Sequence, residues 1–181
     1  MVTVAKASRK SSNTNVTLRG HLIPNSHLDR EWTLEYQQTR RLTIEFLDNV
    51  LDMLDQFPEY TFLLDSQTVP IEDYLEIRPE NEERIRAAVQ TRRMSIGPWY
   101  TAPDDNMISG ESILRNLLEG HRLAAKYGPI MKVGYTPFGF GQVSQLPQIY
   151  AGFDIDTVFF YRGVSGHDSK QSEFLWEGPD G

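Results

Sequence analysis

The sequence has no cysteine, which excludes disulfide bridges and thiolate metal centres. Any metal must therefore be held by His, Asp or Glu, and histidine is scarce, with 4 in the chain. No apolar run approaches the ~18 residues of a membrane helix. Positive charge is also short: Lys and Arg total 18 against 25 Asp and Glu, a net charge of −7. That balance argues against a nucleic-acid partner, because phosphate neutralisation needs surplus cations. Residues 1–15 are rich in Ser and Lys and lack an apolar segment, so they do not read as a secretory signal. They predict a flexible arm, and the expected location is the cytoplasm.

What is present points to an α/β domain over residues 16–181. With 181 residues, 39% of them hydrophobic, the chain can bury a sizeable core. It falls short of a complete eight-fold β/α barrel, which takes ~250 residues. Aromatic residues make up 11%, and with the carboxylates they suit a neutral sugar. Residues 16–23 alternate apolar and polar side chains, which predicts a strand. A helix follows over 33–57, with Leu34, Ile44, Leu47, Leu51 and Leu54 on its apolar stripe and Pro58 just beyond its end. Strands are expected at 60–64, 94–100, 132–135 and 157–161, with a further one over 174–176. Between them lie helical patterns at 69–77, 79–92, 109–127 and 145–152. Alternating strands and helices imply a parallel sheet.

In such folds, ligands sit at the C-terminal ends of the strands. The first candidate there is His27-Leu28-Asp29, followed by Trp32. Imidazole and carboxylate two residues apart make a half-site for zinc; taken alone, such a pair is more often a hydrogen-bonded loop feature. Asp65-Ser66-Gln67 follows the next strand, where Asp65 fits equally as a turn cap. The stretch from Gly97 to Asp105 carries Trp99, Tyr100, Asp104 and Asp105; its aromatics suit a sugar ring and its carboxylates suit hydroxyl protons, although Trp99 also fits the core. Last comes the Gly/Pro loop Gly134-Tyr135-Thr136-Pro137-Phe138-Gly139-Phe140-Gly141-Gln142. No Lys-Ser/Thr pair follows those glycines, so it is not a phosphate cradle.

Read together, the stretches NSHLDREWT, LLDSQTVPIEDYLEIRPE, IGPWYTAPDDNMISGESILRNLLEG and GYTPFGFGQVSQLPQI resemble the N-terminal catalytic domain of glycoside hydrolase family 38 α-mannosidases, especially the bacterial mannosylglycerate-hydrolase-like branch. The resemblance implies a seven-stranded β/α barrel, incomplete in this chain, and zinc-dependent retaining hydrolysis of α-mannosides. It maps the zinc ligands onto His27 and Asp29, and substrate-site roles onto Trp32, Asp104 and Arg162. The expected partner is an α-mannoside or mannosylglycerate-like carbohydrate.

The family's nucleophile, an Asp that also ligates zinc, stands two residues before Phe-Gly. Here that position is Phe138, before Phe140-Gly141; the register on Phe138-Gly139 would put Thr136 there instead. The acid/base Asp and the last zinc-binding His are expected beyond residue 181. Retention needs two carboxyl groups about 5 Å apart, so the chain is expected to be inactive alone. A non-catalytic sugar-binding or partner-binding remnant is the alternative. A metal-dependent polysaccharide deacetylase is weaker, because His21, His121 and His167 do not form the HxxxH pair it needs.

Overall fold

The computed structural model describes residues 3–8, 17–137, 139–167 and 169–181. Near the N-terminus, β1 (Thr3–Ser8) pairs antiparallel with β2 (Thr17–Leu22), in a register that sets Thr3 opposite Leu22. One correction to the sequence reading follows. The strand expected over 16–23 is present as β2, but its partner, within residues 1–15, runs antiparallel. The physical reason is the unpaired backbone donors and acceptors of an extended segment, which take a neighbouring strand where one is available.

The chain divides into two compact units, Met1–Leu64 with Asp73–Ser95, and Asp65–Glu72 with Ile96–Gly181. The first unit is organised by helix α1 (Tyr36–Gln56), which buries Thr43, Ile44, Leu47, Val50, Leu51 and Leu54. The three- and four-residue spacing of these side chains places them on one face. The helix starts later than the sequence reading has it, because Leu34 stays exposed ahead of it. Gln38 Oε1 accepts from the Glu35 backbone N–H at 3.2 Å and fixes that start. At the other end, the Arg93 guanidinium donates to the carbonyls of Leu54 and Phe57, filling acceptors that the helix leaves open.

Strand β3 (Phe62–Leu63) pairs parallel with β4 (Met94–Ser95), and Asn25 bridges to Leu63, also parallel. Between β3 and β4 come α2 (Val69–Leu75), a 3-10 turn at Pro79–Asn81 and α3 (Glu82–Gln90). Leu47, Leu51, Leu54, Tyr74, Ile85, Val89 and Met94 are buried in this unit, each contributing about 1.5–3 kcal/mol of apolar burial.

In the second unit, Ser109 caps α4 (Gly110–Ala124) by accepting from Ser112 N–H at 3.2 Å. Strand β5 (Gly134–Tyr135) pairs parallel with β6 (Val158–Phe159), and α5 (Leu146–Ala151) lies between them in sequence. The core cluster is Trp99, Ile113, Leu117, Leu146, Tyr150 and Ile155. Gly134 is required here: a Cβ at this position would stand 2.7 Å from the Tyr150 ring. The strand expected over 174–176 does not form. Instead Phe160 meets Phe174 and Trp176 edge to face, with ring centres 6.2 and 5.7 Å apart, so aromatic packing takes the place of a backbone ladder.

The fold is therefore mixed α/β with short parallel sheets, and the described residues form no closed barrel. Among them, no helix is long and apolar enough to cross a membrane.

Candidate functional site

The ten residues from Asn25 to Leu34 contain no helix and no strand beyond the Asn25 bridge. They carry His27, Asp29 and Trp32, which line a cleft of about 300 Å³ with Leu42, Thr43 and Phe46 of α1. His27 Nε2 stands 3.3 Å from Asp29 Oδ2, and both side chains are near half exposed, at 48% and 42%. The Trp32 indole is 78% exposed. A wide aromatic face beside an apolar wall suits the hydrophobic face of a hexose.

The donor pair's separation is that of an ion pair and is equally compatible with one edge of a zinc site. Bonds of about 2.0–2.1 Å at tetrahedral angles put neighbouring donors roughly 3.3 Å apart, which matches the His27–Asp29 separation. The pair supplies one edge of such a site. No group of three His, Cys, Asp or Glu side chains suited to a metal occurs among the described residues.

Arg30, next to Asp29, makes a connection that the sequence reading missed. Its guanidinium grips Asp73 through both carboxylate oxygens, Nε to Oδ2 at 2.7 Å and Nη2 to Oδ1 at 2.8 Å. Tyr36, at the start of α1, donates its hydroxyl to the same Oδ1 at 2.8 Å and accepts from Arg30 Nη2 at 3.0 Å. The guanidinium carbon also lies 4.6 Å from the centre of the Tyr36 ring. The Asp73 side chain is only 8% exposed. Burial pushes its carboxyl up, but hydrogen bonds from Arg30 and Tyr36 outweigh burial and hold it below the usual carboxylate range.

The remaining candidates belong to the second unit. Asp65 and Ser66 are buried with left-handed backbone, φ 35° and 54°, a strained arrangement for non-glycine residues. Gln67 holds it: its Nε2 donates to Asp65 Oδ2 at 2.8 Å, and its Oε1 accepts from Ala102 N–H at 3.1 Å. These bonds give Asp65 and Gln67 a structural role in joining two strand-end loops.

Asp104 and Asp105 are adjacent, and Asp105 is 2% exposed. Neither Asp105 oxygen has a hydrogen-bond partner, and Asp104 Oδ1 has none either. Burial, with help from the Asp104 charge, pushes the Asp105 carboxyl up to about 7. Burial raises the Tyr150 phenol as well, with a contribution from Asp105. Arg162 stacks over Phe140 and Tyr161, 4.9 and 5.3 Å from the ring centres, and both rings are exposed. Trp99 is fully buried in the core, which resolves its two readings in favour of packing.

The structure thus brings His27, Asp29 and Trp32 together in one cleft of the first unit, while Asp104 and Arg162 belong to the second. Phe138 lies outside the described residues. Sequence reasoning did not identify Arg30, Tyr36, Asp73 or Tyr150, because an isolated Arg, Tyr or Asp carries no local signal for a partner some 40 positions away.

Residues 17–181 match the model of the glycosyl hydrolases family 38 N-terminal domain. A provisionally named mannosylglycerate hydrolase of Halalkalibacterium halodurans is 38% identical over 174 residues, covering 89% of this chain and 19% of that protein. An alpha-mannosidase of Saccharomyces cerevisiae is 32% identical over 165 residues, covering 88% of this chain and 15% of its own length. Among solved structures, an alpha-mannosidase from Enterococcus faecalis superposes with a TM-score of 0.74 at 42% identity, covering 76% of this chain and 16% of its own. The chain spans less than a fifth of the curated relatives it matches. It belongs to glycosyl hydrolase family 38, within the N-terminal domain.

Proposed function

We propose that this chain is the zinc-edge portion of an α-mannosidase domain, with His27 and Asp29 as two of the metal ligands and Trp32 as the sugar platform. The observation that carries this is the 3.3 Å His27–Asp29 edge beside an exposed indole in one cleft. The relatives named above are mannosidases, which supports a mannoside as ligand. Zinc bound there would supply Lewis-acid affinity for vicinal hydroxyls.

The chain's own side chains do the rest. Trp32 offers a flat apolar face that orients the ring and excludes water from one side. Within the second unit, Asp104 and Arg162 keep the hydroxyl-accepting and donating roles that the family resemblance implies, with Arg162 lying over two exposed rings. The seven-stranded barrel of the family is the architecture we assign to the whole domain.

Turnover requires two carboxyl groups flanking the glycosidic bond, and position 138 holds Phe where the first belongs. The isolated chain is therefore a mannoside-binding, non-hydrolytic piece. The same observation favours a second reading, a sugar-binding or partner-binding remnant. Titrating methyl α-mannoside into the zinc-loaded chain while following tryptophan fluorescence tests the proposal. Saturable quenching that disappears in Trp32→Ala is expected; an unchanged signal in both proteins contradicts it.

A further inference from the structure

We propose that Arg30, Tyr36 and Asp73 act together as a positioning clamp that sets the geometry of the His27–Asp29 metal edge and the direction of Trp32, an inference that rests on the α-mannosidase reading. The segment from Asn25 to Leu34 has no regular element of its own. Within it, Trp32 N–H donates to Leu34 O at 3.4 Å. A ligand pair outside regular structure depends on side-chain contacts for its pre-organisation.

Arg30 ties this segment to α2 through its side chain. It sits between Asp29 and Trp32 in the chain, bonded covalently to the first and two residues from the second. Its planar fork meets both oxygens of Asp73 at 2.7 and 2.8 Å. Two parallel charge-assisted bonds fix orientation as well as distance, which a lysine ammonium cannot do.

The anchor is itself rigid. Asp73 is nearly buried, and its backbone carbonyl accepts from both Arg40 Nε and Nη2 at 3.4 Å. Arg40 and Tyr36 both stand on α1, the helix that also forms the cleft wall through Leu42, Thr43 and Phe46. Tyr36 closes the triangle, bonding both Arg30 and Asp73. The loop bearing the metal edge is thereby registered to the helix bearing the apolar wall. None of the three groups is needed to touch metal or sugar, so their role is positional.

The test is zinc binding by the full 181-residue chain, measured by calorimetry, with cobalt(II) as a spectroscopic substitute. His27→Ala establishes that binding occurs at this edge. Arg30→Lys keeps the charge and loses the fork, and Tyr36→Phe loses one hydroxyl with minimal risk to folding. Each is expected to weaken zinc about 10-fold, as loss of orienting partners does at metal sites, and to shift the cobalt d–d bands. Arg78→Lys, which alters a separate ion pair with Asp48 in the same unit, should lower the unfolding midpoint and leave zinc affinity within 2-fold.

If zinc binding depends on His27 but is unchanged in both Arg30→Lys and Tyr36→Phe, the clamp is refuted and the metal edge stands. If Arg78→Lys weakens zinc as much as they do, the effect is general destabilisation, which also refutes the clamp. Zinc binding indifferent to His27→Ala overturns the underlying α-mannosidase reading and the clamp with it.

Discussion

Trp99 and Tyr150 meet edge to face at the centre of the second unit's core, ring centres 5.9 Å apart. Tyr150 is buried there, and burial together with the charge of Asp105 raises its phenol. The neighbouring Asp105 is buried with neither carboxylate oxygen hydrogen-bonded, and an unpaired buried polar group costs on the order of 1–3 kcal/mol. The result is a carboxyl that prefers its proton.

That preference gives a pH signature. The folded Asp105 carboxyl titrates at about 7, above the ~3.9 of an unfolded Asp. Between those values the folded state holds the extra proton, so stability falls as pH rises. The contribution is intact below about pH 4 and lost above pH 7, and amounts to on the order of 4 kcal/mol. Asp105→Asn is expected to flatten this slope, so that its stability relative to the parent improves steadily from pH 5 to pH 8. Urea unfolding across that range measures it, and parallel curves for the two proteins would refute the assignment.

Gly120 yields a prediction of opposite sign to the usual rule. Replacing a mid-helix glycine with alanine ordinarily stabilises by about 1 kcal/mol. On α4, however, an added Cβ would stand 2.2 Å from the Pro98 carbonyl oxygen and 2.4 Å from the Trp99 carbonyl carbon. Both are backbone atoms, so the helix must move away from the Trp99 core. Gly120→Ala is expected to destabilise by about 2–3 kcal/mol, whereas Gly110→Ala, with nothing within 4 Å, should change little. Thermal unfolding of the two variants separates them; a stabilised Gly120→Ala would show that the contact is looser than described.

Much of this was readable in the residues. The apolar stripe of α1 is a local signal, and the helix appears where it points. Strand lengths were not readable, because pairing depends on partners distant in sequence; five expected residues at 60–64 reduce to Phe62–Leu63. The antiparallel pairing of Thr3–Ser8 was missed for a related reason, since polar composition hid a workable alternation. At the candidate site, the HxD spacing singled out His27 and Asp29, which stand 3.3 Å apart as an ion pair. The Arg30–Asp73 grip could not be read, because only the fold brings residues 43 positions apart together.

Position 138 offers a test of the proposed division of labour. Phe138→Asp would introduce the carboxylate that the family resemblance expects there. It should tighten zinc by about 10-fold, as an added charged ligand does, yet leave hydrolysis of aryl α-mannosides at background, because retention needs a second carboxyl that the family resemblance does not map onto this chain. Turnover by the variant would show that another carboxylate of this chain serves as acid. Turnover by the parent chain, dependent on zinc, would show that position 138 is not where the nucleophile belongs.

The central claim is that His27 and Asp29 form one edge of a metal site, and zinc affinity tests it most directly. Calorimetric titration of the chain is predicted to give a dissociation constant no tighter than about micromolar, as two protein donors allow, with binding abolished in His27→Ala. Nanomolar binding by the monomeric chain, or binding that survives His27→Ala unchanged, would contradict it.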